Sequence, residues 1–209
     1  MHNKGCRNRK LSPAKQIRNE ITMSIALDEL LKLEPEEIIE HDETPSMEDL
    51  RNPKQIYFED VEVGTELPRY INHYSGVHFN RWCIAMENTH RVHYDYPHAM
   101  NHDKLPGVLF HGTWRMSIVA KWLKNWILPN GWAWKSSWQI RDMVVPGEVT
   151  VLWGTVKDKH EVEGYGLVEL DFGIVNQDGV EGAPGSATVA LPYRGGDPVP
   201  YPFVPPASY

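Results

Sequence analysis

The chain has 209 residues, 41% of them hydrophobic and 23% charged, a balance that supports a domain of ordinary size with a real core. A formal net charge of −7 and a pI of about 5.8 argue against a surface for nucleic acid or an anionic membrane, and no apolar run approaches the length of a membrane span. Two cysteines, Cys6 and Cys83, make neither a C-x-x-C pair nor a disulfide framework, so a reducing, cytoplasmic setting is expected.

In chain order, residues 1–56 read as a basic tail followed by a helical and acidic arm. Lys4, Arg7, Arg9 and Lys10 have no apolar stretch behind them, which is unlike a secretory signal. Ile25, Leu27, Leu30, Leu31, Leu33, Ile38 and Ile39 recur in part at helical spacing and predict one or two short helices. Residues 34–49 are acidic and, with Pro45 and Pro53, read as a linker or an embracing arm.

The domain proper is expected over 57–194. Arg69 to Tyr74 predicts a strand and residues 78–90 a helix, followed by a loop rich in His, Asp, Asn and Pro through Pro106-Gly107. From Gly112 to Ile127, Trp114, Ile118, Trp122 and Trp126 fall four apart, with Val119 and Leu123 widening the stripe; Pro129, Asn130 and Gly131 stop it. The period then becomes two, in Val149, Val151 and Trp153, in Val168, Leu170, Phe172 and Ile174, and in Ala187, Val189 and Leu191. Pro146-Gly147, Glu163-Gly164 and Asp178-Gly179 mark turns between these runs. Residues 195–209 form a Pro-rich extended tail suited to lying across a neighbouring subunit. The class is α+β: a curved antiparallel sheet wrapped around one long central helix, because a helix this apolar needs a sheet to cover it.

Two segments hold the chemistry. One is Glu87-Asn88-Thr89-His90-Arg91-Val92-His93-Tyr94-Asp95-Tyr96-Pro97-His98-Ala99, and the other runs from Leu105-Pro106-Gly107 to His111-Gly112-Thr113-Trp114. Seven of the ten histidines lie between positions 73 and 111. Their spacings match no metal motif and the cysteines do not join them, so acid/base work is the better reading and no metal is expected. His111-Gly112-Thr113 stands at the start of the long helix, where unpaired N–H groups and the positive dipole end lie and where Gly lets a ligand approach. Two readings stand there: a binding site for a developing oxyanion, or a tight turn at Gly112 with Thr113 as a cap. Arg91 and Arg115 suit phosphates or a carboxylate, or else salt bridges. Most of the eight tryptophans belong in the core, with one or two left to line an acyl tunnel.

Tyr57-Phe58-Glu59-Asp60-Val61-Glu62-Val63-Gly64 resembles the opening of MaoC-like dehydratase domains. Asn88-x-His90-Arg91-Val92-His93-Tyr94-Asp95-x-x-x-Ala99, then Pro106-Gly107-x-x-x-His111-Gly112, resembles the variant found in 3-hydroxyacyl-thioester dehydratases and mesaconyl-CoA hydratases. The similarity spans about residues 57–193, and Pro146-Gly147-Glu148 fits it. It implies a single hotdog fold and reversible addition of water to an enoyl thioester. The family's common motif pairs an Asp with a His. Here His93 takes the His position, Asn88 the Asp position, and His90-Arg91 replaces Asn-Pro.

The resemblance therefore implies His93 as acid/base and Asn88 as holder of the attacking water, with Asp95 and His90 next in line and Asp95 otherwise orienting His93 or Arg91. Gly112, His111, Thr113 and Arg91 would bind the thioester, a coenzyme A or acyl-carrier substrate, with no cofactor. Hotdog units of this kind pair edge to edge, so a homo-oligomer, dimer or larger, or a heteromer is expected. Two rivals remain: a thioesterase using Glu87, and a non-catalytic or partner-dependent subunit, which Asn88 in the carboxylate position motivates.

Overall fold

The computed structural model describes residues 47–52 and 54–209. The basic N-terminus, the predicted helices between 22 and 40 and the acidic stretch up to residue 46 lie outside the described residues. A short helix α1 (Met47–Arg51) precedes the domain. Then come strand β1 (Tyr70–His73), helix α2 (Gly76–Ala85), the long helix α3 (Gly112–Ile127), and strands β2 (Trp132–Trp138), β3 (Val149–Val162), β4 (Tyr165–Asn176) and β5 (Gly185–Leu191). The strands form one antiparallel sheet in the order β1-β3-β4-β5-β2.

α3 runs over the residues predicted for it, and its buried side chains are Arg115, Ile118, Val119, Trp122, Leu123 and Ile127. Apart from Arg115, they share one core with Leu152 and Val156 of β3, Val168, Leu170, Phe172 and Ile174 of β4, and Ala187, Val189 and Leu191 of β5. Fully burying a side chain such as Phe172 or Leu170 contributes roughly 1.5–3 kcal/mol, so this seam between helix and sheet dominates the stability of the domain. Trp122 anchors it: its Nε1 donates to the Pro68 carbonyl at 2.6 Å, and its ring stands edge-on to Phe172 with centroids 6.2 Å apart. A side chain at Gly154 of β3 would overlap that indole, so the sheet keeps a glycine beneath it.

The period-two runs became β3, β4 and β5, and the Glu163-Gly164 turn, with φ of 50° and 83°, closes the β3–β4 hairpin between the paired Val162 and Tyr165. The helix predicted over 78–90 is instead α2 (Gly76–Ala85). It begins early because Ser75 and His78 form a reciprocal cap, with the Ser75 N–H donating to His78 Nδ1 at 3.1 Å. It ends early because Glu87 takes a left-handed φ of 50°.

The Tyr57–Gly64 opening folds as a single 3-10 turn over Phe58–Asp60 that buries Phe58 and then Val61 against β4 and β3. The Pro-rich tail folds back over the other face of its own sheet. Phe203 packs on Trp132, Trp134 and Tyr165, Tyr209 on Trp134 and His160, and Glu163 accepts the Ala207 and Ser208 N–H groups.

Candidate active site

The end of α2 and the start of α3 bring the two motif segments together. After Glu87 the chain turns through Asn88, whose N–H donates to the Cys83 carbonyl at 2.9 Å. Asn88 Oδ1 accepts the His90 N–H at 2.8 Å, setting up the 3-10 turn Arg91–His93. An extended stretch runs alongside, the Leu109 N–H donating to the Val92 carbonyl at 2.8 Å.

That stretch orients His93. Its Nδ1 lies 2.9 Å from the Leu109 carbonyl, which can only accept, so Nδ1 carries the proton and Nε2 is left as the basic nitrogen of the neutral ring. The ring of His111 lies 4.4 Å from that of His93, and the His90 ring stands edge-on to His93 at 5.5 Å. Burial holds the His93 imidazole below its ordinary range, with nearby His90 acting the same way against the opposing Leu109 carbonyl. Burial also lowers His111, followed by its two neighbours His93 and His90. Both rings are therefore neutral bases near pH 7.

His111 also has a structural part. It is the N-cap of α3: its Nδ1 accepts the Thr113 N–H at 3.1 Å and contacts Thr113 Oγ1 at 2.8 Å. Its Nε2 faces the Asn88 carboxamide. Asn88 thus bridges the His90 backbone and the His111 ring, and its contacts are those of a positioning residue. The Trp114 and Arg115 N–H groups bond the His111 carbonyl, so in the first turn of α3 only the Gly112 N–H makes no hydrogen bond among the described residues. It points out of the positive end of a 16-residue helix.

Asp95 is engaged elsewhere. It accepts from Arg91 Nε at 2.8 Å, pairs with the Arg91 guanidinium at 2.6 Å, and its other oxygen accepts the His98 N–H at 3.1 Å. Of the two orienting roles foreseen for it, the contacts carry the one on Arg91. Those bonds, the His98 N–H first, hold its carboxyl below the usual range. Arg91 and His90 are exposed. Arg115 is buried at 2% exposure, its Nη1 donating to the Asp142 carbonyl at 3.2 Å and its Nε without a partner among the described residues. It ties the loop after β2 to α3 and forms neither of the surface contacts expected of it. Glu87 is exposed in its turn.

Three features escaped the sequence reading. The Leu109 carbonyl, which fixes the His93 tautomer, leaves no side-chain signal. Ile140, from the same loop, reaches over Gly112: its Cδ1 would lie 2.9 Å from a Cβ built there. Trp82 stacks on Trp114 with centroids 5.6 Å apart and donates to Thr113 Oγ1 at 3.4 Å, while Phe79, Phe110 and Tyr74 extend the same aromatic wall. The four-residue spacing of Trp82 from His78 within a helix could have pointed to it.

A family model for hydroxyacyl-thioester dehydratase type 2 matches residues 12–132, more than half of the chain. The chain belongs to that family. The match starts inside the N-terminal arm, well before the resemblance noted from Tyr57 onward. Solved structures with the same fold include the R-hydratase PhaJ1 of Pseudomonas aeruginosa, 18% identical with a TM-score of 0.59 over 74% of this chain and 97% of that one. A MaoC-like dehydratase of Rhodospirillum rubrum is 17% identical with a TM-score of 0.58, over 66% and 98%. The ChsH1–ChsH2 complex of Mycobacterium tuberculosis matches at 12% identity and a TM-score of 0.55, over 62% and 98%. At these identities the likeness establishes the MaoC-like hotdog fold. A comparison with curated protein sequences finds no match. No helix among the described residues is long and apolar enough to cross a membrane.

Proposed function

We propose that this chain is a hydro-lyase that adds water reversibly across the double bond of an enoyl thioester, or removes it from a 3-hydroxyacyl thioester. The observation that carries the reading is the pairing of a tautomer-fixed, neutral His93 with the free Gly112 N–H at the head of α3. Membership of the hydroxyacyl-thioester dehydratase family supports it.

In this reading the thioester carbonyl oxygen docks on the Gly112 N–H. As water attacks the β-carbon, negative charge gathers on that oxygen, and the helix end stabilises it. His93 Nε2 accepts the proton that water gives up, then returns it to the α-carbon. One ring thus delivers both parts of water to one face of the double bond. His111 and Asn88 position the site, Asp95 holds Arg91, and exposed Arg91 is available to substrate phosphates. The reaction needs only proton exchange and no cofactor. The aromatic wall of Trp82, Trp114 and Phe110 beside Thr113 suits a bulky or ring-bearing acyl group.

The test is a hydration assay on the purified chain with a panel of short, branched and aromatic enoyl-CoAs, followed by loss of enoyl absorbance. Turnover that His93→Ala abolishes supports the reading; turnover that survives the substitution sinks the assignment of His93. A second reading is a partner-dependent subunit. It is favoured by the lack of a carboxylate contacting His93 or His111 among the described residues. Activity absent from the chain alone and restored by a copurifying partner would select it. Free thiol released from a saturated acyl-CoA would instead mark a thioesterase.

A further inference from the structure

The segment after His93 carries a histidine pair that the proposed reaction does not use. Residues His98–His102 wind as a single π-helical turn, with the Asp103 N–H donating to the His98 carbonyl at 3.1 Å. This wider turn folds the Asp103 carboxylate back between two imidazoles. His98 Nε2 lies 3.3 Å from Asp103 Oδ2, and His102 Nδ1 lies 2.7 Å from Asp103 Oδ1. The two rings stack with centroids 4.6 Å apart and planes within 13°. All three ligand atoms fall within 4.8 Å of one another.

We propose that His98, His102 and Asp103 form a binding site for a divalent first-row transition ion such as Zn2+, with water completing the shell. Two imidazoles and a carboxylate are the donor set such ions favour over Mg2+ or Ca2+. Ligand atoms around a tetrahedral zinc stand about 3.3 Å apart, given bonds of about 2.0–2.1 Å. The His98–Asp103 pair already has that spacing, and the exposed His102, already on Asp103 Oδ1, needs only a small shift of its ring to join it. The scaffold is firm where it matters. Ala99 is fully buried, the Leu105 N–H bonds its carbonyl at 2.9 Å, and Asp95 holds the His98 N–H. Two ligands are sheltered and one faces solvent, so an ion can enter without unfolding the turn.

The site is independent of the proposed activity and is tested without it. The full chain, freed of metal by chelation, is titrated with Zn2+ by calorimetry and with Co2+ by visible absorption. One equivalent bound is expected, with the absorption of a low-coordinate Co2+ site. His102→Ala and Asp103→Asn should each weaken binding about tenfold or more, with unchanged circular dichroism, while His93→Ala should leave it intact. Absence of binding overturns the proposal. So does binding that survives both ligand variants, or binding that His93→Ala removes, which would place the ion on the active-site imidazoles.

Discussion

Gly112→Ala separates the chemistry of the helix start from its stability. Gly112 is not in the left-handed region and is the first residue of α3, so the backbone accepts alanine. The added methyl meets one atom, Ile140 Cδ1, at 2.9 Å. That atom is the end of a side chain 50% exposed, which can rotate away at a cost of about 1 kcal/mol. Alanine returns up to about 1 kcal/mol of helix propensity, less at a terminus than in the interior. Stability should therefore change by less than about 1 kcal/mol, a Tm shift within about 4 °C for a domain of this size. The methyl and the displaced Ile140 would nevertheless crowd the approach to the Gly112 N–H. Because alanine keeps the N–H, the loss of one oxyanion donor, about 10²–10³ in kcat or about 2.7–4 kcal/mol, is the ceiling of the expected effect. Steady-state hydration kinetics and thermal melts on the same preparation give both numbers. Full turnover at an unchanged Tm would refute the need for an open approach to the Gly112 N–H, and a Tm loss of about 10 °C would refute the packing argument.

His93→Gln should lower kcat by about 10²–10⁴, the usual contribution of a general acid/base, and the wild-type acid limb should fall below an ordinary histidine's pKa of about 6.5; an acid limb above that value would contradict the burial of the ring. Because His93 and His111 are depressed in the folded state, the unfolded chain binds more protons just below pH 6.5, so stability should drop as pH falls from about 7 to 5.5. Urea midpoints across that range test this, and the slope should shrink in His93→Gln; a flat profile would count against it. Gly154→Ala should cost about 1–3 kcal/mol by forcing the Trp122 indole off its place, read as a lower urea midpoint at unchanged m. Arg115→Met should be neutral or stabilising, since the guanidinium is buried with its Nε unpartnered among the described residues, whereas Arg115→Ala should lose about 2–5 kcal/mol to the cavity.

The helix and the hairpins were legible because their signals are periodic and local. Four-residue spacing from Trp114 to Trp126 located α3, and alternation from Val168 to Ile174 located β4. At the start of β3 the same logic was incomplete: Val151 packs with Val175, Ile71 and Trp153 on the sheet's second face, while its neighbour Leu152 faces the main core. The site was legible as a set of side chains and not as an arrangement. His93, His111 and Gly112 were all named, but the sequence gives no sign that Leu109 supplies a carbonyl to one histidine or that the other caps the helix. Those bonds come from an extended backbone stretch running beside a 3-10 turn, which has no period to read. Asp95 shows the converse: a carboxylate two residues from a catalytic candidate looks available, yet a guanidinium four residues away claims it.

In the proposed reaction, Asn88, where the resemblance implies a carboxylate, bears on the electrostatics of the site more than on its layout. A carboxylate beside these rings would raise their pKa and hold a proton on them in the resting state. The neutral amide gives no such bias, and burial then keeps both imidazoles uncharged. In the proposed reaction charge appears only as water is attacked: an imidazolium forms at His93 while an enolate-like oxygen forms at Gly112. The two opposite charges arise together, in a half-buried site where their attraction is stronger than in water. Such a pair favours the transition state over the neutral ground state, so an amide at position 88 is compatible with the proposed catalysis by one histidine.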